Sequence, residues 1–138
     1  MKPRIALVSG DYPPAISGIG DYVEKLAGAM AKQGADVTVI TTAGTGDDSN
    51  ANFKVRREIT AWTWANRHQV IDVLGQYDIV HLQYPAVAYG RSLMINVLPS
   101  LLRRKHPNAK SLVTIHDFRV MRHRWRHASH PCSSASTA

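Results

Sequence analysis

The opening stretch of the chain constrains its fold more than any other. Residues 4–9 read RIALVS, a short apolar run that predicts a buried strand. The segment GDYPPAISGIG follows, in which two prolines forbid regular structure and Gly18 and Gly20 leave backbone N–H groups uncovered. A helix is predicted next, with Asp21 as its N-cap and Glu24 as the capping-box partner. A strand, a glycine loop and a helix form the first half of an α/β unit that can bind an anion.

Strand and helix patterns alternate along the rest of the chain up to about residue 118. The predicted strands cover residues 36–41, 53–60, 78–84 and 111–115, and the predicted helices cover residues 21–33, 64–76 and 92–105. We expect the charged 53–60 strand at a sheet edge and the apolar 111–115 strand in the interior. This order predicts an α/β fold, a single Rossmann-like domain whose mostly parallel sheet has helices on both faces.

The helix predicted over residues 92–105 has an apolar side and a basic end. The residues expected to be buried are Leu93, Val97, Leu98, Leu101 and Leu102. Pro99 lies inside this helix and is expected to kink it. The basic residues at its end are Arg103, Arg104, Lys105 and Lys110. They favour the negative end of the dipole of a buried helix, and contact with anionic lipid headgroups at a membrane surface is the alternative.

Length and composition are those of a globular protein with one domain. The 138 residues are 44% hydrophobic and 20% charged, which is ordinary for a domain with its own core. No apolar run is long enough to span a bilayer, and the N-terminus has no signal-peptide pattern. The single cysteine excludes an internal disulfide and favours a reducing compartment. We therefore expect a cytoplasmic location, with the inner face of the membrane as an alternative.

The final stretch, residues 119–138, differs from the domain predicted over residues 1–118. It has no apolar period, and its four arginines without an acid supply most of the net charge of +7. We therefore expect no nucleic-acid partner for the domain. The stretch is predicted to be a disordered tail, or an out-of-frame translation product. Its metal-ligating residues are His123, His127, His130 and Cys132. They lack a rigid surrounding shell, and we expect no metal site.

Polar and aromatic residues follow the predicted strands at their carboxyl ends. In parallel α/β sheets, ligands bind beyond this edge, where the strand order reverses. The residues expected there are Asp11, Tyr12, Thr42, Gln83, Tyr84, His116 and Asp117. We predict that they converge on one crevice. Trp62 and Trp64 either stack on a ligand or pack in the core, and His81 is expected to be a hydrogen-bonded core histidine.

Two alternative functions are weighed on the same residues. A nicotinamide-dinucleotide-binding oxidoreductase domain needs G-x-G-x-x-G directly after the first strand and an acid after the second. Here Val23 stands in place of the third glycine, and the second strand ends in Thr41 and Thr42. A Walker P-loop is excluded, because no Gly-Lys-Ser/Thr occurs. A non-catalytic basic binding module would bind nucleic acid in a salt-sensitive way without residues 119–138.

Three segments of the chain resemble one known family. The opening GDYPPAISGIGDYVEKLAGAMAKQGADVTVIT, the segment YDIVHLQYP and the segment LVTIHDF look like the start of family-4-type glycosyltransferases with the GT-B fold. The resemblance covers residues 4 to about 118. It implies a hexosyltransferase that moves a sugar from a nucleotide-sugar donor to an acceptor with retention of configuration. The nucleotide-sugar is a substrate, and the transfer needs neither a cofactor nor a bound metal.

The resemblance also implies roles for particular residues. Gly18 and Gly20 match the loop near the donor diphosphate, and His116 matches the catalytic-site histidine that contacts the sugar undergoing transfer. The other residues expected in the cleft or at the acceptor are Asp11, Tyr12, Asp21, Gln83 and Tyr84. The resemblance implies a second domain that holds the nucleotide. We therefore expect the chain to be a truncated N-terminal, acceptor-side fragment that is inactive alone.

Overall fold

Five parallel strands and three helices of the described residues form one α/β sandwich. The structure, a computed structural model, describes residues 1–46, 48, 52–84, 88–90 and 92–116. In chain order its elements are β1 (Arg4–Val8), α1 (Gly18–Lys32), β2 (Asp36–Thr42), β3 (Lys54–Ile59), α2 (Arg67–Leu74), β4 (Ile79–Tyr84), α3 (Met94–Lys105) and β5 (Lys110–Ile115). The strand order is β3-β2-β1-β4-β5, with every pair parallel. The predicted Rossmann-like fold is confirmed.

The central strand β1 separates two apolar layers. Ala6, Leu7 and Val8 are all fully buried, but they face alternate sides of the sheet. Leu7 packs with Val23 and Ala27 of α1 in one layer. The other two belong to the larger layer, which contains the buried faces of α2 and α3. Helices therefore cover both faces, as predicted, and the unbroken apolar run of β1 follows from its burial on both sides.

The N-terminus of α1 lies earlier than predicted. Ser17 is the N-cap residue, and the Asp21 N–H donates to the Ser17 carbonyl at 3.1 Å as the first intrahelical bond. The prediction of Asp21 as N-cap is therefore wrong, because the chain is already helical at Gly18. Gly18 and Gly20 lie in the first helical turn and not in a loop before it. Gly34, with φ of 84°, terminates the helix as predicted.

The helix α2 is shorter than predicted, although its inward face is correct. Residues 64–76 were expected to be helical, but α2 covers only Arg67–Leu74. Val70, Ile71 and Leu74 are buried, as their spacing predicts. Trp62 and Trp64 therefore both lie outside the helix, in the segment between β3 and α2.

The helix α3 buries only part of the face that was predicted. Leu98 and Leu102 are buried as predicted, and Leu101 is partly buried against the core. The buried residues of the helix are Met94, Ile95, Leu98 and Leu102. Leu93 is 70% exposed and Val97 is 38% exposed, so the prediction of their burial is wrong. The inner face is formed by positions 94, 95, 98 and 102, which recur at helical spacing. Leu93 precedes the helix as its N-cap residue, and Val97 lies at the border of this face.

The C-terminal end of α3 is basic, as the sequence indicates. Arg103, Arg104 and Lys105 occupy its last turn, and Lys105 pairs with Asp72 of α2. Contact with lipid headgroups stays a prediction. Pro99 lies inside the helix. None of the helices in the described ranges has the length and hydropathy that a bilayer span requires.

The two sheet edges differ from each other in composition. β3 is an edge strand, as its charges predict. β5 forms the opposite edge, and Leu112, Val113 and Ile115 are between 41% and 53% exposed. The prediction that 111–115 is buried is therefore wrong. Its apolar residues indicate burial, but its place in the strand order leaves it without an outer neighbour among the described residues. The predicted tail, residues 119–138, lies outside the described residues, as do Asp117 and the histidines and cysteine of the tail.

The corrected face of α3 can be tested with adjacent substitutions. Leu98→Ala removes a side chain that is 1% exposed, so we expect it to lower the free energy of unfolding by about 2–5 kcal/mol. Val97→Ala is the matched control, because Val97 is 38% exposed, and we expect a loss below about 1 kcal/mol. Denaturant unfolding of both variants gives the comparison. Equal losses would contradict the assignment of the two faces.

Candidate functional site

A crevice of about 830 Å³ lies at the carboxyl ends of β1, β2 and β3. The segment after β1, residues 10–12, forms one side, and residues 41–45 after β2 form the base. The segment 60–64 and the described residues between β4 and α3 close the other side. Because all strands are parallel, these segments share one edge of the sheet, which is where α/β proteins bind ligands.

A chain of hydrogen bonds holds the base of this crevice together. The Trp62 Nε1–H donates to Thr42 Oγ1 at 2.8 Å, and the Thr42 hydroxyl donates to the Gly10 carbonyl at 2.6 Å. A Cβ atom on Gly10 would overlap the Ala88 carbonyl, so only glycine fits this close approach. Trp62 is 5% exposed, so its main contacts are with the protein. Trp64 is 49% exposed at the crevice, where its ring is accessible.

Tyr89 joins the two halves of the sheet where the strand order reverses. Its hydroxyl lies 2.6 Å from the Gln83 carbonyl oxygen and 3.1 Å from the Val8 carbonyl oxygen. Its ring meets the Trp62 ring edge to face, with centroids 5.0 Å apart. Burial raises the pKa of Tyr89, so the hydroxyl remains a donor at neutral pH. Sequence reasoning missed this residue, because a single tyrosine in an irregular segment has no periodic signal.

Tyr12 and Arg57 form the charged corner of the crevice. The Arg57 guanidinium lies 5.3 Å from the centroid of the Tyr12 ring and donates two hydrogen bonds to Asp48, at 2.8 and 2.9 Å. Burial is the largest cause that raises the pKa of Tyr12 to about 12; the charges of Glu24 and Asp48 add to it, and Arg57 opposes them. The hydrogen bonds that Arg57 donates to Asp48 raise the pKa of Arg57. The cation is thus paired with a carboxylate, and the phenol stays protonated at neutral pH. Arg57 was also missed, because it reads as an ordinary charge on an edge strand.

A second cluster lies at the ends of β4 and β5. Gln83 is fully buried, and its Oε1 atom lies 2.7 Å from Nε2 of His116. Tyr22 of α1 contacts the His116 ring edge to face, with centroids 4.8 Å apart. The His116 backbone N–H donates to the Tyr84 carbonyl at 3.1 Å. His116 is exposed on its remaining sides. We call Tyr22, Gln83 and His116 the histidine cluster.

The first turn of α1 lies beside both places. Gly18 is exposed, and a Cβ atom there would meet nothing within 4 Å. Gly20 packs against the backbone of Tyr12, since a Cβ atom there would lie 3.2 Å from its Cα. The first N–H groups of a helix have no intrahelical acceptor, so this turn can bind an anion. Tyr22 follows one turn later in the same helix, so the turn and His116 lie on the same side of the sheet.

The structure divides the predicted site residues instead of placing them all in one crevice. Asp11 and Tyr12 line the crevice, and Asp11 accepts a hydrogen bond from the Ser17 hydroxyl at 3.2 Å. Gln83 and His116 belong to the histidine cluster. Tyr84 lies on the opposite face, where its hydroxyl donates to Asn96 of α3 at 2.6 Å. Strand alternation explains the division, because consecutive residues of β4 face opposite sides of the sheet.

Asp21 and His81 both lie outside the crevice lining. Asp21 is exposed in the first turns of α1. The His81 ring bonds to the Thr114 hydroxyl at 2.7 Å, so this histidine is hydrogen-bonded as predicted, although it is only partly buried. Burial, followed by the charge of His116, lowers the pKa of His81. Within the described ranges, no three His, Cys, Asp or Glu side chains cluster as metal ligands do.

The burial of Tyr12 predicts a pH dependence of stability. Its pKa rises from 10.0 to about 12 on folding, so the folded state holds the phenol proton more tightly than the unfolded chain. This contribution is complete below pH 10 and is lost as the pH rises to about 12. We therefore expect the free energy of unfolding of the wild type to fall more steeply over that range than that of Tyr12→Phe. The extra fall is at most about 3 kcal/mol.

Urea unfolding of the wild type and of Tyr12→Phe at several pH values measures this difference in the free energy of unfolding. The difference between the two proteins at pH 7 is the reference. Curves that stay parallel from pH 7 to about pH 12 would contradict the link between Tyr12 burial and stability.

Comparison with known proteins identifies the family of the chain. The family model described as Glycosyltransferase Family 4 matches residues 16–135. The chain matches none of the curated proteins. The matched range begins next to the first turn of α1 and includes the histidine cluster. It favours sugar transfer over the oxidoreductase and basic-module alternatives. Because the match covers most of its 138 residues, the chain belongs to glycosyltransferase family 4.

Proposed function

We propose that this domain forms the acceptor side of a retaining GT-B enzyme that transfers a hexosyl group from a nucleotide-sugar to an acceptor. Besides the family match, one structural observation supports the proposal. The exposed first turn of α1 and His116 lie on the same side of the sheet, and Tyr22 connects them. A donor whose diphosphate sits at the helix turn would then hold its sugar close to the histidine.

The first turn of α1 is suited to the leaving diphosphate. Its free N–H groups and the positive end of the helix dipole favour negative charge, which increases on the phosphate as the sugar leaves. Gly18 leaves this turn open to a ligand, because no atom lies within 4 Å of the Cβ position. Gly20 keeps the turn against the backbone of Tyr12. In this proposal, Gly18 therefore gives the diphosphate access to the N–H groups, and Gly20 fixes the position of the turn.

The crevice is suited to a sugar-like acceptor. Its rim includes the exposed rings and side chains of Trp64 and Leu93, which are 49% and 70% exposed. Its walls carry hydroxyl groups from the exposed residues Thr45, Thr60 and Thr63. A sugar ring has an apolar C–H face and polar hydroxyls, and it can use both kinds of surface at once. We assign Trp64 as the stacking surface and not Trp62, which is 5% exposed.

Transfer further requires a domain that binds the nucleotide. The described residues build a single Rossmann-like unit, and its crevice opens to solvent. In the GT-B arrangement the donor lies in a cleft between two such units. We therefore propose that the 138-residue chain binds ligands and transfers no sugar alone. Sugar transfer by the purified chain would overturn this part of the proposal.

The donor site predicts a charge-sensitive response at Gly18. We expect UDP-glucose, ADP-glucose or GDP-mannose to shift the amide NMR signals of residues 18–20 in the labelled chain. Gly18→Asp places a negative charge at the proposed diphosphate seat, so it should weaken this binding by about tenfold or more. Ala29→Asp is the matched control, since Ala29 is exposed further along the same helix. Equal binding by the two variants, or no shift with any donor, would contradict the donor site.

The acceptor site predicts a loss of sugar contacts when Trp64 is removed. We expect saturation-transfer NMR with maltose, cellobiose and methyl glucosides to give signals in the wild-type chain. Trp64→Ala should reduce them several-fold, because a stacked ring contributes about 1 kcal/mol. Leu112→Ala serves as the control, because Leu112 is an exposed apolar residue of β5 outside the crevice. Signals that persist unchanged in Trp64→Ala would show that these sugars do not stack there.

A further inference from the structure

Gln83 is held more firmly than any other member of the histidine cluster. Its side chain is fully buried at the end of β4, and its backbone carbonyl accepts a hydrogen bond from the Tyr89 hydroxyl at 2.6 Å. Its Oε1 atom lies 2.7 Å from Nε2 of His116, and its Nε2 atom has no hydrogen-bond partner among the described residues. A fully buried amide with half its bonding capacity unused is unusual in a structural role, because leaving it unpaired is costly.

The contact between Gln83 and His116 determines where the imidazole proton lies. A neutral imidazole carries one N–H group, and its other nitrogen is an acceptor. The Gln83 Oε1 atom can only accept, so with Oε1 facing the ring this contact is a hydrogen bond when His116 Nε2 carries the proton. Nδ1 of His116 is then the acceptor. We propose that Gln83 is a positioning residue that fixes His116 in the Nε2–H tautomer and presents Nδ1 to a hydroxyl group of the bound sugar.

Two further contacts fix the direction of the ring. The Tyr22 ring meets it edge to face at 4.8 Å, and the His116 backbone N–H is bonded to the Tyr84 carbonyl. The imidazole is therefore held from two directions, by Gln83 at Nε2 and by the Tyr22 ring packed against it. His116 itself is exposed, so the ring is accessible to a ligand.

The tautomer has a consequence for ligand choice. An unprotonated Nδ1 atom attracts a group that donates a hydrogen bond, such as a sugar hydroxyl, and not an unprotonated phosphate oxygen. His116 would therefore hold the transferred sugar while the first turn of α1 holds the phosphate. This inference rests on the proposed function for the identity of the ligand, whereas the tautomer belongs to the chain without ligand.

His81 provides an internal comparison on the same face of the sheet. Its Nε2 atom lies 2.7 Å from the Thr114 hydroxyl. A hydroxyl can donate or accept, so Thr114 does not impose a tautomer on His81, whereas the Gln83 oxygen imposes one on His116. His81 pairs with Leu112 of β5, and His116 lies four positions beyond Leu112, on the same side of the sheet.

Long-range proton–nitrogen NMR of the ¹⁵N-labelled 138-residue chain, recorded at a pH where histidine is neutral, tests the tautomer directly. We expect His116 to favour Nε2–H over Nδ1–H by about tenfold. Gln83→Leu has a similar side-chain size but no acceptor, so it should lower this ratio by about fivefold or more. Gln83→Glu retains the acceptor and should keep the Nε2–H form. Thr114→Val is the control, because it removes the bond to His81 and leaves His116 unchanged.

The proposal is overturned if wild-type His116 carries its proton on Nδ1, a result that needs no variant to fold. It is also overturned if folded Gln83→Leu keeps the wild-type tautomer ratio. Addition of UDP-glucose separates the tautomer from the proposed function. A confirmed tautomer with no response of His116 Nδ1 to UDP-glucose, ADP-glucose or GDP-mannose would overturn the sugar contact alone. A response at Nδ1 that is lost in Gln83→Leu supports both.

Discussion

The burial of β1 between β2 and β4 is the constraint on which the rest of the structure depends. Its three fully buried residues, Ala6, Leu7 and Val8, pack alternately into the two apolar layers. Pairing on both sides satisfies its backbone groups and creates the point where the strand order reverses. Tyr89 joins β1 and β4 at this point, through hydrogen bonds from its hydroxyl to the carbonyl oxygens of Val8 and Gln83. The position of every ligand-facing segment follows from this pairing, because each continues a strand of one sheet.

The two places at the carboxyl edge differ in chemistry, and α1 connects them. The crevice offers aromatic surface, hydroxyl groups and a cation already paired with Asp48, so it suits a ligand with hydroxyls and an apolar face. The histidine cluster offers a ring whose nitrogens are distinguished by the Gln83 oxygen. Gly20 packs on the backbone of Tyr12 in the crevice, and Tyr22 contacts His116 in the cluster. A shift of α1 would therefore change both places together.

The ionisable side chains around the crevice are either paired with an opposite charge or kept neutral. The Arg57 guanidinium is satisfied by Asp48 and stacks near Tyr12, so it supports the wall of the crevice. The Tyr12 and Tyr89 hydroxyls are kept protonated by burial, so both act as neutral polar groups at physiological pH. For the proposed phosphate site, the favourable potential comes from backbone N–H groups and the dipole of α1, which do not require a charged side chain.

The sequence by itself determined the order of strands and helices, the edge position of β3 and the nearness of the α1 turn to a strand-end histidine. Local patterns carry this information, because periodicity and glycine placement act over a few residues. It did not determine that α1 begins at Gly18, that β5 is exposed or that Tyr84 faces away from Gln83. Only the tertiary structure decided the pairing of Gln83 with His116, of Arg57 with Asp48 and of Tyr89 with two strands. The Gln83–His116 and Tyr89–Val8 contacts join residues 33 and 81 positions apart, so their distances depend on how the whole sheet twists and packs. Arg57 and Asp48 are nine positions apart, and their pairing depends on side-chain geometry that periodicity does not encode.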